Sequence, residues 1–195
     1  IFMVEYAKSS NIFVKIVRVA EETVSGIPSI VFGIFGMVFF VELLGWGYTL
    51  LGGALTMTMM ILPLVMRTTE EALLAVPDSF REGSYALGAG KLRTIFVIIL
   101  PSAIPGIVSG VILGLGRVVG ETMALVYTAG SAFNIRYAAE PMSQGCTLTV
   151  YMYSLINEGN KYAGQAWAVA VVLIVLVIII NGAAEFIGNK LKKEY

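Results

Sequence analysis

The sequence predicts an all-α membrane protein, a polytopic bundle with about four full crossings. Three observations predict it. The 195 residues are 57% hydrophobic and 13% charged, with a mean hydropathy of +0.84, far from the roughly 45 to 50% apolar and 25% charged of soluble domains. Four stretches reach or approach the roughly 20 apolar residues that cross a hydrocarbon core. The charges gather between these stretches, with Lys plus Arg balancing Asp plus Glu at 13 each, so net charge argues for no nucleic acid partner. The chain has no His and one Cys, Cys146, which removes most zinc sites, Cys–His nucleophile pairs and any intrachain disulfide. Neither catalysis nor a cofactor is expected. The opening at Ile1 carries no leader pattern.

Residues 11–25 form an amphipathic helix, with Ile12, Phe13, Ile16 and Val17 among its apolar side chains and Lys15, Arg18, Glu21 and Glu22 on its wet side. The first crossing is 27–45, opened by Pro28, a residue suited to a helix start. The second is 47–66, followed by a polar loop, 67–101. The third is 102–128, the fourth 164–187, and a motif-free loop at 129–163 joins them. Lys8, Lys15, Arg18, Arg67, Arg81, Lys91, Arg93, Lys190, Lys192 and Lys193 fall on one side, against Arg136 and Lys161 on the other. Cytoplasmic loops carry the excess of Lys and Arg. The N-terminal segment, 67–101 and the C-terminus are therefore expected in the cytoplasm, with 129–163 outside. Trp46, Tyr48, Tyr162 and Trp167 fall near the outer boundary, where amphipathic rings anchor.

Arg117 belongs to neither side, since it lies inside the third stretch with Glu121 four residues on. An Arg at a helix centre costs about 2.5 to 3.5 kcal/mol on insertion scales, so it persists facing protein, water or a counter-charge. On a continuous helix, Gly106, Gly110, Gly114, Arg117 and Glu121 share a sector of about 80°. Small residues admit a second helix closely, so the stripe that packs also turns the charges toward the interior. Two readings stand: a structural ion pair that fixes register, or a substrate pathway. A guanidinium matches oxyanions bidentately, and the nearby carboxylate would weaken the hold or accept a hydrogen bond from a protonated phosphate oxygen.

The 67–101 segment carries a spaced pattern: Glu82, Gly83 and Ser84, then Gly88, then Ile98, Leu100 and Pro101. It resembles the coupling-loop motif of bacterial ABC-importer permeases, EAA, three residues, Gly, nine residues, I-x-L-P, with Gly83 and Ser84 where the motif has alanines. A helix, a turn at Gly88 to Gly90 and a second helix toward Pro101 would make a knob for a partner's groove. The resemblance implies an ABC importer permease fold and a separate ATPase that docks there. The chain has no G-x-x-x-x-G-K-[ST] loop of its own.

SGIPSIVFGIFG (Ser25 to Gly36), LPLVMRTTEEALLAVP (Leu62 to Pro77) and GLGRVVGETMALVYTAG (Gly114 to Gly130) resemble the phosphate-specific permeases of the PstA type, while GETMA is similar to the sister subunit as well. VEYAK, at Val4 to Lys8, looks like the end of a transmembrane helix in that family, which implies about two helices upstream of a single permease domain spanning 1–195. The resemblance implies a second, homologous permease subunit, an ATP-binding cassette ATPase dimer and a periplasmic or extracellular phosphate-binding protein, in a bacterial or archaeal inner membrane. It assigns the anion pathway to Arg67 and Arg117; Pro28 and Gly33 resemble positions near it. The binding protein is expected to land on 129–163. Another oxyanion, sulfate, molybdate or phosphonate, is an alternative cargo. An ion-coupled carrier is a further alternative, which leaves the 82–101 spacing unexplained.

Overall fold

A computed structural model describes residues 1–7, 11–132 and 140–193, without the side chains of 187, 189 and 191–193. Lys8 and Arg136, and the side chains of Lys192 and Lys193, lie outside that description, as do residues 133–139 of the expected landing loop. Helices dominate: α1 (Ile12–Ser25), α2 (Ser29–Gly36), α3 (Leu50–Leu74), α4 (Asp78–Ala86), α5 (Lys91–Thr94), α6 (Leu100–Gly120), α7 (Met123–Thr128), α8 (Leu148–Asn157) and α9 (Ala163–Lys193). Wider π-type turns form Phe2–Tyr6, extend α2 through Met37–Leu43, and join α5 to α6 through Ile95–Ile99.

Among the described residues, three helical runs are long and apolar enough to cross a membrane: Leu50–Leu74, Lys91–Gly120 and Asn160–Phe186; Ile12–Ser25 with Ser29–Leu43 makes a fourth only if the broken pair is counted as one. Alone, the 15 residues of Ser29–Leu43 reach about 22 Å at 1.5 Å each, short of a 30 Å core. The second crossing runs on through Arg67 to Leu74, and the third begins at Lys91 rather than 102. The expected polar loop 67–101 is thus mostly helix: the end of α3, then α4, a turn, and the start of the next crossing. Glutamate and alanine are strong helix formers, so RTTEEALL continues α3 until Pro77 stops it.

Two compact groups make up the chain, and three helices contribute to both. One contains Ile1–Ser25, Pro63–Gly114 and Gly182–Tyr195. Its core is Leu73, Val76, Ile99 and Ala103, with Val4, Ala72, Ile98 and Ile107 against it. Here α3 and α6 run antiparallel at close range: a Cβ on Gly106 would come 2.7 Å from the Ala72 methyl, and one on Gly110 would collide with the Thr68 side chain. Helix α1 buries Val14 completely and leaves Ile12, Phe13, Ile16 and Val19 exposed. Arg18, expected on the wet side, instead turns toward α3 and pairs with Glu70, its Nε donating at 3.0 Å. Arg18 thus turns inward while Lys15 and Glu22 stay exposed beside Ile12, Phe13, Ile16 and Val19, so the outer face mixes charge with hydrocarbon, unlike a helix on a water-facing surface.

The other group contains Gly26–Leu62 and Leu115–Asn181. Gly33 lies against the α7 backbone, where a Cβ would sit 2.9 Å from the Ala124 Cα, and Gly36 leaves no room for one beside Thr56 and Thr128. Backbone amides of Leu50 and Leu51 donate to the carbonyls of Ser143 and Pro141, at 2.8 Å each, and Gly145 donates to Ala129 at 3.1 Å. Helix α8 stands inside the segment expected to be a plain loop, with Val150 and Leu155 buried.

Candidate functional site

The third crossing does not continue to residue 128. It stops at Gly120, leaves Glu121 and Thr122 outside helix, and restarts as α7. Arg117 sits in the last turn of α6, where the carbonyl end of the helix favours a cation. Glu121 therefore departs from the predicted helical stripe. Its carboxylate Oε1 accepts from the Ala124 amide at 3.3 Å, capping α7, and its carbonyl accepts from Thr149 Oγ1 at 2.7 Å. No ion pair joins Arg117 to Glu121, and among the described residues Arg117 has no ion-pair partner. The guanidinium is exposed. Asn181, a polar residue in the apolar run of α9, brings its side-chain oxygen to 3.3 Å from where a Gly116 Cβ would stand.

Arg67 lies within α3, two turns before its end, with its side chain 64% exposed. Its Nε donates to Glu71 one turn on at 3.0 Å, so this guanidinium, unlike Arg117, carries a partner. An exposed pair of this kind is screened by solvent and does little to lock the side chain. Of the predicted packing glycines, Gly106 and Gly110 meet α3 as described, and Gly114 is buried.

The seven spaced positions form a helical elbow. Glu82 and Gly83 are exposed on α4, and a Cβ at Gly83 would meet nothing within 4 Å. Nothing within the described chain requires a small residue there. Gly88 has φ +79° and reverses the chain, a conformation that costs a side-chain-bearing residue about 1 to 2 kcal/mol. Leu87 beside it is 90% exposed. Ser84 is buried, and its hydroxyl meets that of Thr94 at 2.8 Å, tying α4 to α5. Ile98, Leu100 and Pro101 are half-buried along the helical run that follows.

Sequence reasoning treated Arg81 as one more cytoplasmic charge. In the structure it is a hub. Its Nε and Nη2 donate to Glu5 Oε1 at 3.2 and 2.7 Å, Nη1 donates to the Val76 carbonyl and Asp78 Oδ1 at 2.9 and 3.1 Å, and Nη2 also reaches the Leu73 carbonyl at 3.2 Å. The hydrogen bonds it donates to Glu5, and then the charge of that carboxylate, hold the guanidinium above its ordinary range against the opposing cost of burial. Thr149, Thr94 and Asn181 were likewise missed, since a hydroxyl or amide in an apolar run carries no spacing signal.

An apolar helical bundle with a broken crossing, an unpaired guanidinium beside the break and an exposed elbow is the architecture of a membrane transport subunit. Residues 2–193 match the family described as binding-protein-dependent transport system inner membrane component, and the chain belongs to it. It is 38% identical to the probable ABC transporter permease protein YqgI of Bacillus subtilis, over all of this chain and 70% of that one. It is 36% identical to the phosphate transport system permease protein PstA of Mycobacterium leprae, over 94% of this chain and 60% of that one. With the probable PstA of Methanocaldococcus jannaschii the identity is 33%, over 78% and 54%. The chain thus spans a little over half to 70% of the length of these relatives. A chain of the inward-facing MetNI methionine ABC transporter superimposes with a TM-score of 0.73 at 22% identity, covering 97% of this chain and 82% of that one. The fold is that of an ABC importer permease, and the protein is a multi-pass membrane protein.

Proposed function

We propose that the chain is a transmembrane permease subunit of an ATP-driven phosphate importer, with Arg117, Glu121 and Arg67 along the anion pathway and 67–101 as the coupling segment. The observation that carries the reading is Arg117: a permanent cation, exposed and without an ion-pair partner among the described residues, in the last turn of an apolar helix at a break. A group so costly to leave in hydrocarbon suits a protein-lined route in which an oxyanion completes it bidentately. Relatives named phosphate permeases support the choice of phosphate. Thr149, which holds the carbonyl at the break, would keep the route open without contributing charge.

In this reading ATP is hydrolysed by a separate cassette ATPase dimer that grips α4 at Glu82 and Gly83 and at the Gly88 turn, with the buried Ser84 bracing the helix from within. A homologous second permease completes the pathway, and a phosphate-binding protein delivers cargo on the opposite side, at 129–163. The elbow and the C-terminus lie in the cytoplasm, following the Lys and Arg count. The test is uptake of labelled phosphate by the reconstituted complex, with and without ATP and with sulfate or molybdate as competitor. Phosphate accumulation that needs ATP and resists both competitors is expected. Preference for another oxyanion would overturn the cargo, and uptake without ATP would overturn the class.

A further inference from the structure

Helix α4 is attached to the rest of its group at two places with different chemistry. On one side, the buried Ser84 and Thr94 hydroxyls join it to α5 and so to the run that becomes α6. On the other, Arg81, braced by Asp78 one turn back on α4, joins the helix to two more elements: the carbonyl end of α3 at Leu73 and Val76, and Glu5 in the opening turn Phe2–Tyr6. The Glu5 side chain is only 5% exposed and that of Arg81 16%. Lys91, at the start of α5, lies 4.4 Å over the Tyr6 ring, so the same opening turn touches both arms of the elbow.

A buried pair contributes little net stability against hydrophobic replacements, while breaking one is costly. Its distinctive property is geometric, because a planar fork with five donors fixes three groups at once, and a lysine cannot reproduce this. We propose that Arg81 is a positioning residue for transport: through its fork on Glu5 and the α3 carbonyls, displacement of the α4 elbow is delivered to α3 and to the Phe2–Tyr6 turn as one rigid movement. Glu82 and Gly83, its neighbours, face outward and are free to be gripped, so the residue beside the grip carries the load inward. The inference rests on the permease reading of the elbow.

The experiment uses the complete importer in proteoliposomes, and reads assembly, ATP hydrolysis and phosphate transported per ATP. The unmodified complex comes first: absence of ATP-dependent uptake there refutes the permease reading and not the joint. With uptake established, E5Q removes one charge at constant shape, and R81K keeps the charge but loses the fork. Each is expected to assemble and to hydrolyse ATP within about twofold of the parent, while phosphate moved per ATP falls about tenfold, as a lost charge-assisted contact in the transmitting path would do. Phosphate per ATP within about twofold of the parent in either assembled variant overturns the proposal. Loss of assembly in both variants also overturns it, since the fork would then be a folding contact only.

Discussion

Arg117 and Arg67 are the same residue type, both exposed on long helices, and the difference between them is a partner. Glu71 stands one turn from Arg67 on an unbroken helix, whereas the break at Glu121 removes the carboxylate that spacing had set beside Arg117. Replacing Arg117 by Gln is expected to lower phosphate uptake about tenfold or more, the value of one charge-assisted contact of roughly 1.5 to 3 kcal/mol, with co-purification of the ATPase unchanged; normal uptake would refute its role. Gly110→Val drives a branched side chain into Thr68. It should cost about 1 to 3 kcal/mol by overpacking and lower the melting temperature in detergent, whereas an equal change at Gly83, which faces open space, should leave melting almost unaltered. The residue types at these positions were legible in the sequence; their partners were not. Spacing assumes a continuous helix, and GET at 120–122 gives no strong stop signal, with Gly tolerated inside helices and Glu and Thr only mildly opposed.

Among the elements, α4 and its turn were the most legible, because the Gly88 reversal is punctuation with a steric cause. The structure gives Gly88 the positive φ a reversal requires. Gly88→Val should therefore strain the elbow and weaken retention of the ATPase on an affinity column, with Gly83→Val acting on the same retention without the strain. Unaltered retention in both would contradict docking at α4. Helix α8 was not legible, since ten residues are too few for a crossing and its apolar content looks like any loop near a membrane. The inward turn of Arg18 on α1 was hidden for a related reason: periodicity locates a charged stripe but does not say whether water or a counter-charge receives each charge. Glu70 on α3 receives Arg18, a long-range pairing that local patterning does not encode.

For the molecule as a whole, composition alone dictated a membrane solvent, and the described helices follow from it. Orientation rests on charge counting and is open to a direct measurement. Cys146 is the single cysteine, half-buried outside the long crossings, and burial pushes its thiol above the ordinary range. A membrane-impermeant maleimide applied to intact cells should label it slowly at neutral pH and faster as pH rises, because the thiolate is the nucleophile. In a C146S background, Leu87→Cys at the exposed elbow should react only after the membrane is opened. Labelling of the elbow from outside would invert the topology and with it the assignment of the ATPase side.

The close approach of α3 and α6 has one more consequence. Ala72 and Thr68 occupy two rungs, Gly106 and Gly110, of a ladder that has a third at Gly114. Sliding one helix past the other by four residues, about 6 Å, would set Ala72 on Gly110 and Thr68 on Gly114, again small side chains over bare backbone. Along this seam, small side chains over bare backbone set little steric resistance to such a step.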